Sequence, residues 1–295
     1  MPWYIPVIAR IIVGNICGQI VLKKVTGLPS RTRRFVWQFF FAALLSWIAI
    51  AITGSTPTAW STIAIIAVVG FVNSGGAYFQ WRAIEISQSK TAVFTWADDL
   101  IAIGLGYVIL AEHRVLTPSL AIGVVICVGA CVAIGFSERH SGTNDPSRTT
   151  FALIGWIAGY SVIWGIAAFV MRYYGVRDVP ISTFAAAWYT GALVGALVIR
   201  SIIGVREQGA PLTGRGIAGT FVLASFIWLA LILAYWSRML APITVVQPIH
   251  QVSEMVFPAL VGLFIFKESR TFTTQGKFLL ALACAGGIMV ALSFS

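Results

Sequence analysis

Two carboxylates stand inside segments that otherwise have the composition of lipid-buried helix: Asp98 in TAVFTWADDLIAIGLGYVIL and Glu254 in ITVVQPIHQVSEMVFPALVGLFIF. An ionised aspartate at the centre of a membrane helix disfavours insertion by roughly 2.5–3.5 kcal/mol, so an acid retained there takes a partner, a proton or water, and by default marks a solute or proton path. Beside Glu254, the residues Gln247, His250 and Gln251 recur at spacings of three and four, which puts all four on one helical face. The rest of that helix is mostly Val, Ile, Met and Phe. Pro248 removes a backbone hydrogen bond within the stretch and is expected to kink the helix or turn carbonyls toward a cavity. His250 lies one turn from Glu254, and an imidazole that titrates near neutral pH is suited to exchange protons with it. Thr91, Thr95 and Asp98 form a similar stripe, with Asp99 a step around the helix.

Other polar residues also interrupt apolar runs. Arg10 lies roughly 9 Å into the first such run, at 1.5 Å per residue. It either snorkels to the surface or supplies the counter-charge to an acid or to an anionic solute. On a regular helix Asn15 and Gln19 point to a different face from Arg10, so the three are not expected to line one narrow cavity. Asn73, followed by Ser74, Gly75 and Gly76, predicts an unwound or closely packed polar point. The pairs Gly14/Gly18, Gly155/Gly159 and Gly191/Gly195 predict close helix packing through small residues. Trp96, Tyr107, Tyr160, Trp164, Trp188 and Tyr189 are suited either to stack on a solute or to anchor helices at the membrane interface. Glu112 and Glu268 are read as structural hinges at helix ends.

These residues need elements that hold them at depth, and the composition supplies them. Hydrophobic residues make up 58% of 295 positions and charged residues 10%, which leaves too little polar surface for a water-soluble globule. Apolar stretches of the length that crosses about 30 Å of hydrocarbon fall at 3–22, 35–53, 60–81, 90–111, 117–136, 151–172, 181–202, 215–237, 243–266 and 273–294. The fold expected is all-α and integral to the membrane, with ten transmembrane helices. Runs such as LAIGVVICVGACVAIGF do not alternate, which excludes a transmembrane β-barrel. Arg10 and Asn15 interrupt the first run and no basic region precedes it, so it reads as a retained span rather than a secretory signal.

The formal net charge of +10 raises the question of nucleic acid, and its distribution answers it. With the amino-terminal side named face A, fifteen of the twenty Lys and Arg fall in loops of the opposite face B. Arg114, Arg172, Arg177 and Arg238 are placed on face A, and Arg10 in the first span. Such an asymmetry is topological, with face B cytoplasmic by the positive-inside rule and both termini outside. It gives no nucleic-acid partner.

Asp98 and Glu254 are 156 positions apart, and the same offset relates Arg82 to Arg238, Gly106 to Gly262, Glu112 to Glu268, Arg114 to Arg270 and Thr117 to Thr273. The polar insert SERHSGTNDPSRTT at 137–150 divides the chain into halves of five spans. Five is odd, so the second half enters the membrane inverted. Each half ends in a fourth span closing on Glu112 or Glu268, then a short polar turn and a glycine-rich fifth span. This ending, over 78–136 and 234–294, resembles the repeat of the EamA family in the drug/metabolite transporter superfamily. In that family a proline often follows the acid directly, where this chain has Asp99 and Met255.

The resemblance implies two inverted five-helix repeats at 1–136 and 151–295 joined by the loop 137–150. It also implies alternating-access transport of a small organic solute through a cavity lined mainly by spans one, three, four, six, eight and nine. The expected activity is secondary transport, proton-coupled and directed outward, in the cytoplasmic (inner) membrane of a prokaryote. The alternative is uncoupled exchange or uptake of an anionic metabolite on Arg10. A membrane-embedded enzyme would want a nucleophile–base pair or metal cluster at the loop edges, and the sequence has no such pattern. No cofactor or metal is expected: the four cysteines sit within spans, and His113 and His140 lie in loops apart from His250.

Overall fold

The computed structural model describes residues 2–54, 58–88, 91–92, 96–110, 146–204, 212–267 and 274–292, with scattered helical positions between 118 and 133. Among these the chain is helical throughout, with no strand. We name the helices α1 (Tyr4–Thr26), α2 (Arg31–Thr53), α3 (Trp60–Ile86), α4 (Trp96–Ile109), α5 (Pro146–Gly175), α6 (Ile181–Ile203), α7 (Gly214–Leu240), α8 (Ile243–Leu260) and α9 (Thr274–Leu292).

Counting only described residues, six of them, α1, α2, α3, α5, α6 and α7, are long and apolar enough to cross a membrane. The chain is therefore an integral membrane protein by length and composition. The sequence predicts ten such segments; the fourth and ninth contain shorter apolar pieces, Leu100–Ile109 and Val252–Ile265.

Packing is closest where side chains are absent. α3 lies against α6 at Gly70, where an added Cβ would come within 2.1 Å of the Trp188 carbonyl oxygen, and at Gly191, where it would come within 1.8 Å of the Ala67 carbonyl oxygen. Without a hydrophobic force between helices in lipid, such backbone contact maximises dispersion. Gly14 and Gly18 face Ala230 and Phe226 on α7. Gly159 meets Phe79, while a Cβ at Gly155 would meet nothing within 4 Å among the described residues. The main apolar core gathers Phe35, Phe39, Trp81, Phe184, Trp188 and Tyr235 between α2, α3, α6 and α7.

The pattern of neighbours relates the two halves. α3 packs on α5 and α6, and α7 packs on α1 and α2; α4 packs on α5, and α8 on α1; α4 and α8 pack on each other.

Two helices are irregular. α1 is π-helical over Ile11–Gly18, beginning one residue after Arg10. α8 continues as a π-helical turn over Val261–Ile265. Its α-helical part runs through Pro248 without a break in the element.

Candidate functional site

Asp98, Glu254, Arg10, Asn73 and Gln247 line one internal cavity of about 140 Å3. α4 brings Asp98, α8 brings Gln247 and Glu254, α1 brings Arg10 and α3 brings Asn73. Their burial follows from the enclosure: Asp98, Asn73 and Gln247 are each 5% exposed or less. Gly165 on α5 lets α4 approach here, since a Cβ at that position would come within 2.6 Å of the Asp98 carbonyl oxygen.

Arg10 is the hub. One terminal nitrogen of its guanidinium donates to Nδ1 of His250, and the other donates to Glu254 Oε1 in an ion pair. Of the two readings the sequence leaves open, snorkelling or counter-charge, the structure has the second. A guanidinium only donates, so Nδ1 of His250 is an acceptor and the ring proton sits on Nε2. That proton points to Ser237 Oγ at 3.2 Å, and Ser237 in turn donates to the Ala234 carbonyl at 2.9 Å. His250 is fully buried and stands behind Arg10 rather than at the cavity wall. Arg10 thus stands between His250 and Glu254, the pair whose spacing suggests proton exchange, and its guanidinium bonds to both.

A second contact joins the same two helices. Asn15 donates through Nδ2 to Ser253 Oγ at 2.9 Å, and Ser253 donates to the His250 carbonyl at 2.8 Å. Asn15 and Gln19 both line the cavity with Arg10, contrary to the face assignment made for a regular helix. The π-helical stretch is the reason. Its i→i+5 hydrogen bonding brings residues five apart onto one side, and Arg10 and Asn15 are five apart.

Sequence reasoning missed three contributors. Arg238 was assigned to a loop of face A, yet it lies within α7, is 3% exposed, and donates to Gln247 Oε1 at 3.2 and 2.7 Å and to the Ala234 carbonyl at 3.1 Å. Its repeat mate Arg82 stays outside the cavity, over the Trp156 ring at 5.6 Å and 3.5 Å from Glu85. Gln38 of α2 lines the cavity as well; a lone glutamine in FVWQFFFAALL was the available signal. Gln19 carries the third contact, accepting from Gln88 at 3.5 Å.

Asn73 is a closely packed point and not an unwound one, since α3 runs unbroken through Ser74, Gly75 and Gly76. Its Oδ1, together with Gln38 Oε1 and Trp164 Nε1, is buried with no hydrogen-bond partner among the described residues. All three side chains line the cavity. Buried polar atoms of this kind cost about 1–3 kcal/mol each when left unsatisfied, so the site suits an occupant that both donates and accepts hydrogen bonds. Aromatic walls come from Tyr160, Trp164, Trp188 and Tyr189. Thr95, Glu112 and Glu268 lie outside the described residues, and of Asp99 and Gln251 only the backbone is described.

Among the described residues, the charged groups lining the cavity, Arg10, Arg238, Asp98 and Glu254, balance in formal charge. The arrangement fits a solute that is neutral or internally balanced better than a polyanion.

No family model and no curated protein matches the chain. Solved structures do. One, described only as "Crystal structure of protein", superposes with a TM-score of 0.64 over 99% of this chain and 96% of its own, at 16% identity. At that identity the likeness concerns the fold alone.

Proposed function

We propose that the chain is a secondary transporter of the EamA type. In this reading ten transmembrane helices form two inverted five-helix repeats that rock about the central cavity and export a small organic solute in exchange for protons. The observation that carries the proposal is that an acid from each half, Asp98 and Glu254, reaches one polar cavity enclosed by helices of both halves. The neighbour pattern supports it, because exchanging the halves maps the α3–α5 and α4–α5 contacts onto α7–α1 and α8–α1. Discontinuous or irregular helices at a midplane site are also what such transporters use, and α1 is irregular where it passes the cavity.

The coupling proposed rests on two contacts. Arg10–Glu254 and Asn15–Ser253 both tie α1 of the first half to α8 of the second. A proton on Glu254 removes the charge that holds Arg10 and so weakens the tie between the halves; solute binding at Asp98, Asn73 and Gln38 favours the opposite state. Arg10 is engaged through both terminal nitrogens, which favours this scheme over recognition of an anionic metabolite by Arg10.

The test has two stages. A thermal-shift screen of the purified protein against amino acids, nucleosides, sugars and cationic drugs identifies stabilising solutes. Counterflow of the best solute in proteoliposomes then follows. Exchange that saturates and falls at least tenfold in Asn73→Leu supports the proposal; a well-folded protein that binds a solute yet gives no exchange refutes it.

A further inference from the structure

The face that carries most of the Lys and Arg has a recess of about 410 Å3 between the start of α2 and the end of α6, lined by Thr32, Arg33, Leu197 and Arg200 among others. Its charge arrangement is unusual. α2 begins with Arg31, Arg33 and Arg34, has no acidic residue in its first turn, and lacks a side-chain cap from Ser30. Positive charge at a helix amino terminus opposes the macrodipole, so these arginines need anionic or carbonyl partners. Arg31 pairs with Glu85, and the buried Arg34 donates to the carbonyls of Val25 and Leu28. Arg33, and Arg200 across the recess, have neither an ion pair nor a hydrogen bond to any side chain or carbonyl among the described residues.

The start of α2 and the end of α6, which carry the two arginines, pack closely, since a Cβ on Gly204 would come within 2.9 Å of Thr32 Oγ1. Below them the wall turns apolar. Leu197 and Val194 on α6 are exposed, as are Phe40 and Leu44 on α2. The seam between the two helices is joined one level deeper by the Trp47 indole, which donates to Thr190 Oγ1 at 3.2 Å.

We propose that this recess binds an anionic phospholipid, with Arg33 and Arg200 on the phosphate and an acyl chain along the seam between α2 and α6. A free phosphate would use the arginines but not the apolar seam beneath them. Cytoplasmic leaflets carry anionic lipids, and each basic residue near that surface strengthens the attraction.

Native mass spectrometry of the full-length protein in detergent tests it, with phosphatidylglycerol and phosphatidylcholine of matched chains as probes. Phosphatidylglycerol should be retained preferentially, and Arg33→Ala with Arg200→Ala should cost about thirty-fold in its affinity, roughly fivefold per arginine. Arg33→Lys with Arg200→Lys should keep most of the preference, and Arg177→Ala on the other face should keep all of it. For the unaltered protein the preference should fall as salt is raised, which reads the site without relying on any variant. Equal retention of the two lipids, a preference unchanged in the double alanine variant, or one indifferent to salt would overturn the proposal. So would competition by glycerol phosphate as strong as that by the lipid, which would assign the recess to a free phosphate.

Discussion

Arg10 bonds His250 through one terminal nitrogen and Glu254 through the other, so these three residues act as a unit and their energetics are coupled. The side chains of Arg10 and Glu254 are 11% and 18% exposed, which keeps most of the pair away from solvent screening. Removing one partner of a largely buried pair leaves a charge without compensation, at a cost of about 3 kcal/mol or more, whereas removing both is much cheaper. Arg10→Met and Glu254→Gln should therefore each destabilise the protein in detergent by about 3 kcal/mol, and the double variant by clearly less than their sum. Strictly additive losses would show that the contact carries no energy. The sequence announced the polar stripe of α8 through its spacing, but not that Arg10 would stand between His250 and Glu254. That depends on α1 meeting α8, and no local pattern encodes which helices meet.

At the scale of elements, the irregular turns matter as much as the regular ones. Gln19 and Asn15 join Arg10 at the cavity because α1 is π-helical over Ile11–Gly18, and a face assignment at 3.6 residues per turn misplaces both. Hydrophobic periodicity carries no signature of an i→i+5 turn, so this part of the site was not legible. The glycines were legible as small-residue pairs, though their contacts were not. Gly191 sits on the α3 backbone while Gly155 meets nothing among the described residues. Gly191→Ala should push α3 and α6 apart and cost about 3 kcal/mol, the upper part of the range for overpacking. Gly155→Ala should leave stability unchanged or raise it by up to about 1 kcal/mol through helix propensity. Thermal unfolding in detergent distinguishes the two, and equal behaviour would contradict the packing described for α3 and α6.

At the scale of the molecule, composition and apolar length were enough to predict an all-helical membrane protein, because lipid leaves few alternatives for satisfying the backbone. The charge count was a weaker guide to individual residues. Arg238 was assigned to a loop but is buried, since a cation near a helix end looks the same in sequence whether it faces water or a cavity. The 156-residue offset was more informative. It singled out Asp98 and Glu254, and α4 and α8, which carry them, pack together while both acids line one cavity.

The proposal of proton-coupled exchange through the cavity rests on that convergence, and flux driven by a pH gradient tests it most directly. Proteoliposomes loaded with the solute found by screening should move it faster under an imposed gradient, and Asp98→Asn and Glu254→Gln should each reduce the gradient-dependent component at least tenfold. Undiminished gradient coupling in both variants would contradict the account.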